Sequence, residues 1–263
     1  MTGKITAAAV QFQIEPGAVE TNLERVLAAL ERLRRRKVRL AVLPEMWSTG
    51  FDYRTLPQQA EKTPWVVEKL AGQSKWLDMV LVGSLPESAD GALYNTTFVL
   101  DGGQVLGRYR KLHLFSPMGE NRYFQRGDRT LVAPTSAGRL GMAICYDVRF
   151  PELFRALALE GADIICLPAE WPAPRQEQWR TLVRARAIEN QLFLVAANCC
   201  GSQGKVDFFG MSLIVSPRGE ILAEAGTGAE EIVATLDFAD MAAYRQEIPA
   251  LRDRRPDIYG HLP

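Results

Sequence analysis

The feature that most constrains this chain is its repeated change of period. Short apolar runs of strand type alternate with stretches in which apolar residues recur every three or four positions. Ile5 to Phe12 reads as a strand of small and β-branched residues. An amphipathic helix follows, with Leu23, Val26, Leu27, Leu30 and Leu33 on one stripe and Thr21 or Asn22 as its cap. Val38 to Leu43 and Met79 to Leu85 are further runs, and Tyr94 to Leu100 with Gln104 to Tyr109 flank a turn at Asp101-Gly102-Gly103. The second half has the same style. Leu140 to Ile144, Ile164 to Leu167 and Leu192 to Ala197 read as strands. Helices starting at Pro151 and spanning Trp179 to Asn190 lie between them. Met211 to Val215 and Glu220 to Ala223 form a second hairpin about Ser216-Pro217-Arg218-Gly219. Each half has a strand–helix–strand unit near Pro44-Glu45 or Pro168-Ala169-Glu170. The pattern predicts an α/β domain of two layered sheets with helices outside.

No linker or low-complexity stretch divides the 263 residues, so a single domain over residues 1–263 is expected. Basic and acidic residues number 31 each, which argues against a nucleic-acid or polybasic membrane partner. The one basic cluster, Arg34 to Lys37, reads as the solvated end of a helix. No apolar stretch is long enough to span a bilayer, and Met1-Thr2-Gly3-Lys4 lacks the run of a signal peptide, so a cytoplasmic protein is expected. There Asn95-Thr96-Thr97 would not serve as a glycosylation acceptor. Four cysteines are too few for a disulfide framework. Two histidines with no Cys/His cluster predict chemistry without a metal, and no glycine-rich nucleotide motif is present, so no cofactor is expected.

Three runs end in a reactive residue. Glu45 follows Val38 to Leu43, Lys111 follows the first hairpin, and Cys145 follows Leu140 to Ile144. Sites in open α/β sheets gather outside the carboxyl ends of strands. A cysteine nucleophile needs a base and an electropositive neighbour. Neither His113 nor His261 has an obvious route to Cys145, and His113 reads as structural. A glutamate can act as the base, and a lysine can stabilise thiolate and oxyanion. Taken alone, each of the three residues is more often an ordinary buried thiol or surface charge than a catalytic group.

Leu43-Pro44-Glu45, Tyr109-Arg110-Lys111-Leu112-His113-Leu114 and Cys145-Tyr146-Asp147-Val148-Arg149-Phe150-Pro151-Glu152 occur in this order. Together they resemble the nitrilase superfamily of carbon–nitrogen hydrolases, from the first strand to about Tyr244. The resemblance implies a four-layer α-β-β-α sandwich, pairing into homodimers or larger homo-oligomers. It also implies a catalytic Glu45–Lys111–Cys145 triad and, at Gly119-Glu120-Asn121, a second glutamate, Glu120, orienting substrate and lysine. Cys145 to Glu152, Arg184 to Gln191, and Glu170-Trp171-Pro172-Ala173-Pro174-Arg175 with Trp179 are most similar to the omega-amidase branch, whose members act on omega-amides of 2-oxo acids.

Such a substrate is a small molecule with a carboxylate at its far end. Arg175 is the candidate anchor for that carboxylate, Trp171 a candidate pocket wall, and the Tyr146 backbone N–H a second oxyanion donor. Arg149 reads as a structural partner of Glu152. A nitrilase and an N-carbamoyl amine hydrolase would use the same triad, and a non-catalytic scaffold would keep the fold, so these alternatives stay open.

Overall fold

A computed structural model describes residues 3–260; His261 lies outside the described residues. The first sheet comprises β1 (Lys4–Gln11), β2 (Leu40–Val42), β3 (Val80–Ala89), β4 (Ala92–Asp101), β5 (Gln104–Arg110) and, far along the chain, β14 (Glu230–Asp237). Their spatial order is β14-β1-β2-β3-β4-β5. The second comprises β6 (Val132–Thr135), β7 (Gly138–Met142), β8 (Ile164–Ala169), β9 (Phe193–Asn198), β12 (Leu213–Val215) and β13 (Ile221–Glu224), in the order β13-β12-β9-β8-β7-β6. A separate hairpin pairs β10 (Cys200–Gln203) with β11 (Val206–Phe209). In each large sheet the three central strands are parallel and the outer ones antiparallel.

Both faces of the central strands are buried, so they read as apolar runs rather than as alternating ones. Ala7, Ala9, Leu40 and Val42 pack toward the second sheet, in one core with Met142, Ile164 and Val195. Their neighbours Ala8, Val10, Ala41 and Leu43 pack outward. The outward face meets α1 (Val19–Arg35) and α3 (Thr63–Leu77), through Leu23, Val26, Leu30 and Leu33 of α1 and Val66 and Leu70 of α3. Each such side chain stabilises the fold by about 1.5–3 kcal/mol. The short α2 (Leu56–Ala60) precedes α3. On the other side α4 (Pro151–Leu159) and α5 (Gln176–Asn190) cover the second sheet. The chain closes with α6 (Phe238–Glu247) and α7 (Pro256–Tyr259). The layers are therefore α-β-β-α.

Several local expectations are corrected. The first helix begins at Val19, so neither Thr21 nor Asn22 caps it. Asn22 is fully buried and ties the entry loop down, bonding the Glu15 backbone and the Ser48 carbonyl. Leu27 is only partly buried on that helix's stripe. The β2 ladder starts at Leu40 and β7 ends at Met142, because Ala143 and Ile144 already lead into the turn that carries Cys145. The basic cluster does lie at the end of α1, where Arg34 pairs with Glu31 and Arg36 donates to the Glu231 carbonyl.

Candidate active site

The expected pair of strand ends, Pro44-Glu45 and Pro168-Ala169-Glu170, meet where the two sheets face each other. The Glu45 N–H donates to the Ala169 carbonyl (3.4 Å), and the Glu170 N–H donates to Glu45 Oε2 (2.9 Å). Glu45 Oε1 accepts from Lys111 Nζ and from Asn95 Nδ2, both at 2.7 Å. Lys111 Nζ also reaches Glu120 Oε1 at 2.7 Å, and Glu120 Oε2 accepts the Phe115 N–H at 2.8 Å. The Lys111 backbone N–H donates to the Asn95 carbonyl, so one residue of β4 positions both ends of the ion pair. The Trp47 indole packs closely on β3 at Gly83, where a Cβ would come within 2.9 Å of its Nε1.

Cys145 sits at the start of a short 3-10 turn with φ of +44°. A non-glycine residue in the left-handed region is held there by its surroundings. Asp147 supplies much of the hold. Its carboxylate accepts the Ile144 N–H (2.8 Å), the Tyr109 hydroxyl (2.7 Å) and the His113 N–H (3.1 Å), and His113 Nδ1 lies 2.7 Å away. His113 also stacks on Phe150, so it is a brace for the turn, as the sequence predicted. Tyr109 is the penultimate residue of β5, two positions before Lys111, so one hydrogen bond links the lysine's strand to the cysteine's turn.

Glu45, Glu120, Cys145, Tyr146, Trp171 and Arg175 all line one cleft of about 440 Å³. The wall is aromatic, with Phe51, Tyr53, Phe115 and Phe208 added. Phe208 comes from the β10–β11 hairpin, which bridges to Pro172. Arg149 is corrected: it lines the cleft, with its guanidinium 4.9 Å from the Trp171 ring centre. Arg175 lies 5.7 Å from the Phe115 ring centre. Among the described residues neither guanidinium has a carboxylate partner. The Trp171 indole donates to the Arg175 carbonyl, which fixes the wall to the loop that leads into α5.

A sequence model for carbon–nitrogen hydrolases matches residues 6–246. This chain belongs to the carbon–nitrogen hydrolase family. The 2-oxoglutaramate amidase of Bacillus subtilis is 35% identical over 97% of this chain and 100% of its own length. The human omega-amidase NIT2 is 31% identical, with 96% of each chain covered. Among solved structures, a carbon–nitrogen hydrolase from Helicobacter pylori superposes with a TM-score of 0.93 at 30% identity, covering 99% of this chain and 98% of the other.

The electrostatics of this carbon–nitrogen hydrolase follow from burial. Burial works against the Lys111 charge, but Glu120 and Glu45 outweigh it and hold the ammonium well above the usual lysine range. Burial raises the Glu120 carboxyl against the pull of Lys111. Burial and then the Glu45 charge push the Cys145 thiol well above its ordinary value, and Lys111 offsets only part of this. The resting sulfur is therefore a thiol, because the lysine expected to favour thiolate is already shared between two carboxylates.

Sequence reasoning missed three contributors. Asn95 reads in the sequence as an unused glycan acceptor, yet it is fully buried against Glu45. Glu170 entered only within a longer stretch, and its carboxyl lines the cleft. Arg149 was paired with the wrong partner. The signal for Glu170 was present in the matching Pro-Glu endings of the two halves.

Proposed function

We propose that this protein is a cysteine-dependent amidase, acting through a Cys145 thioester to release ammonia from omega-amides of 2-oxo dicarboxylic acids. The observation that carries the reading is Lys111 bridging Glu45 and Glu120, both of which line a cleft that also holds Cys145 and two arginines without a carboxylate partner among the described residues. The amidase names of its relatives in Bacillus subtilis and human support it. We further infer that residues 1–263 work as one domain, in the cytoplasm, as a homodimer or larger homo-oligomer.

Sulfur attacks the amide carbon as Glu45 takes the thiol proton, so a raised thiol pKa is no obstacle. Two N–H groups of Lys111 are committed to Glu45 and Glu120. The third, with the Tyr146 backbone N–H, holds the oxyanion. Tyr146 is at the start of its turn, where the first amides have no partner within the helix. Glu45 returns its proton to nitrogen, ammonia leaves, and the acyl group remains on sulfur. Glu45 then takes a proton from water as the hydroxide adds to the thioester. Collapse of that adduct expels sulfur, which recovers the proton and frees the carboxylate product.

The far carboxylate binds Arg149 and Arg175, whose planar forks suit it. Trp171 packs against the intervening methylenes. The test compares ammonia release from 2-oxoglutaramate, an aliphatic nitrile and an N-carbamoyl amine, with Cys145→Ala as control. Fastest turnover of 2-oxoglutaramate, lost in the variant, is the expected result. Preference for the nitrile or the carbamoyl compound, or activity surviving in Cys145→Ala, overturns the reading.

A further inference from the structure

Glu170 is 4% exposed, and its two carboxyl oxygens are treated differently. Oε2 accepts from Gln203 Nε2 at 2.8 Å. Oε1 is buried and has no hydrogen-bond partner. Leaving a buried polar atom unpaired is costly, so such an atom in a cleft calls for a ligand. Glu170 lines the same cleft as Cys145.

Its position relative to Glu45 indicates what the missing partner is. Lys111 bonds Glu45 at Oε1, whereas the Glu170 backbone bonds it at Oε2. The Lys111 ammonium and the Glu170 backbone therefore meet the base at different oxygens. A carbonyl whose oxygen turns toward Lys111 turns its other substituent toward Glu170. In an amide that substituent is the nitrogen. We propose that Glu170 Oε1 is the hydrogen-bond partner of the leaving nitrogen, and that it favours amides over acyl compounds whose leaving group needs no such partner.

The proposal rests on the amidase reading and adds a residue to it. Burial and then the neighbouring Glu45 charge hold the Glu170 carboxyl well above the usual carboxylate range and so favour its protonated form, which Gln203 offsets only in part. With Gln203 donating to Oε2, the proton sits on Oε1 and is donated into the cleft. A planar amide nitrogen has no free lone pair to accept it. The nitrogen acquires one when carbon becomes tetrahedral, so the bond forms only as the transition state is approached. The bond to Glu170 holds the nitrogen's one lone pair while the adduct forms; it is given up when Glu45 delivers the proton that completes ammonia, and Glu170 keeps its own proton.

The experiment uses the full chain with two substrates sharing one acyl group, a primary omega-amide and the corresponding aryl ester. Aryloxide leaves without protonation and has no nitrogen to hold. Glu170→Gln replaces the acid O–H with a weaker N–H donor at nearly the same size. The expected result is an amide-to-ester ratio of kcat/KM that falls about tenfold to hundredfold, carried by kcat of the amide. Glu170→Leu, checked for folding by thermal melting, should lower the ratio at least as far. An unchanged ratio, whether both activities fall together or neither does, overturns the proposal. Failure of the wild-type protein to release ammonia from any omega-amide overturns the amidase reading instead, so the two failures are distinguishable.

Discussion

β2 and β8 are central parallel strands of the two sheets, and the chain leaves each through a proline and a buried glutamate, Pro44-Glu45 and Pro168-Ala169-Glu170. Glu45 accepts three hydrogen bonds, from Lys111, Asn95 and the Glu170 N–H. Glu170 accepts one, from Gln203, and keeps one oxygen bare. The same fold position thus gives a fully satisfied carboxylate in one half and a half-satisfied one in the other. Satisfaction by an ammonium and two neutral N–H groups favours a group that must carry charge. A carboxyl with a single neutral donor, buried beside another carboxylate, favours its proton. The fold delivers two acids to one place, and their neighbours separate their behaviour.

Four measurements can break or sharpen that contrast. The largest effect is expected from Glu45→Gln, which should lower ammonia release by about 10²–10⁴-fold, as loss of a general base does. Retained turnover at neutral pH would make the two glutamates interchangeable and end the comparison. Next is Lys111→Met, which leaves two carboxylates facing each other in the interior. Urea unfolding should register a loss of about 3–5 kcal/mol, the usual effect of removing one partner of a buried ion pair.

Tyr109→Phe removes the hydroxyl that links β5 to Asp147, and should cost about 1 kcal/mol of stability. Its kcat should also fall, because the Cys145 turn loses one of its ties; unaltered kcat with lowered stability would make Asp147 a purely structural hub. The smallest effect is a gain. Below the unfolded carboxylate pKa, Glu170 is protonated in both states and costs nothing by titration. Above it, the unfolded chain ionises while the folded carboxyl, held high, resists, and the fold loses stability as pH rises. Glu170→Gln should therefore melt above the wild type at pH 8, with the difference shrinking as pH falls toward the carboxylate range. A difference that does not vary with pH would show that Glu170 titrates in the fold as it does in the unfolded chain.

Much of the scaffold could be read from the chain because its evidence is local. Ile5 to Phe12 and Ile164 to Leu167 are apolar on both faces, and Asp101-Gly102-Gly103 marks its hairpin in three residues. Cys145 and Lys111 stand out for the same reason, since each lies within a compact motif. The α3 helix was overlooked although Val66, Val67, Leu70 and Leu77 form a helical stripe, because Pro64, Gly72 and two exposed tryptophans blur it. The β10–β11 hairpin was also overlooked, since its short strands mix polar and apolar residues without a steady alternation. Asn95, Arg149 and Glu170 were legible as residues but not as parts of a site. Their partners lie 50, 22 and 33 positions away, at Glu45, Trp171 and Gln203, and only the pairing of distant strands and the placing of the hairpin bring them together.

The β10–β11 hairpin, which brings Phe208 to the cleft wall and Gln203 to Glu170, belongs to neither large sheet. The groups that break the bond stand on the stacked framework, whereas part of the surface that meets the substrate is an appended loop. Loops accept exchange and insertion far more readily than buried strands do. Selection, or a designer, can therefore recut the shape of the cleft by replacing ten residues at the periphery, while the reacting groups inherit their spacing unchanged.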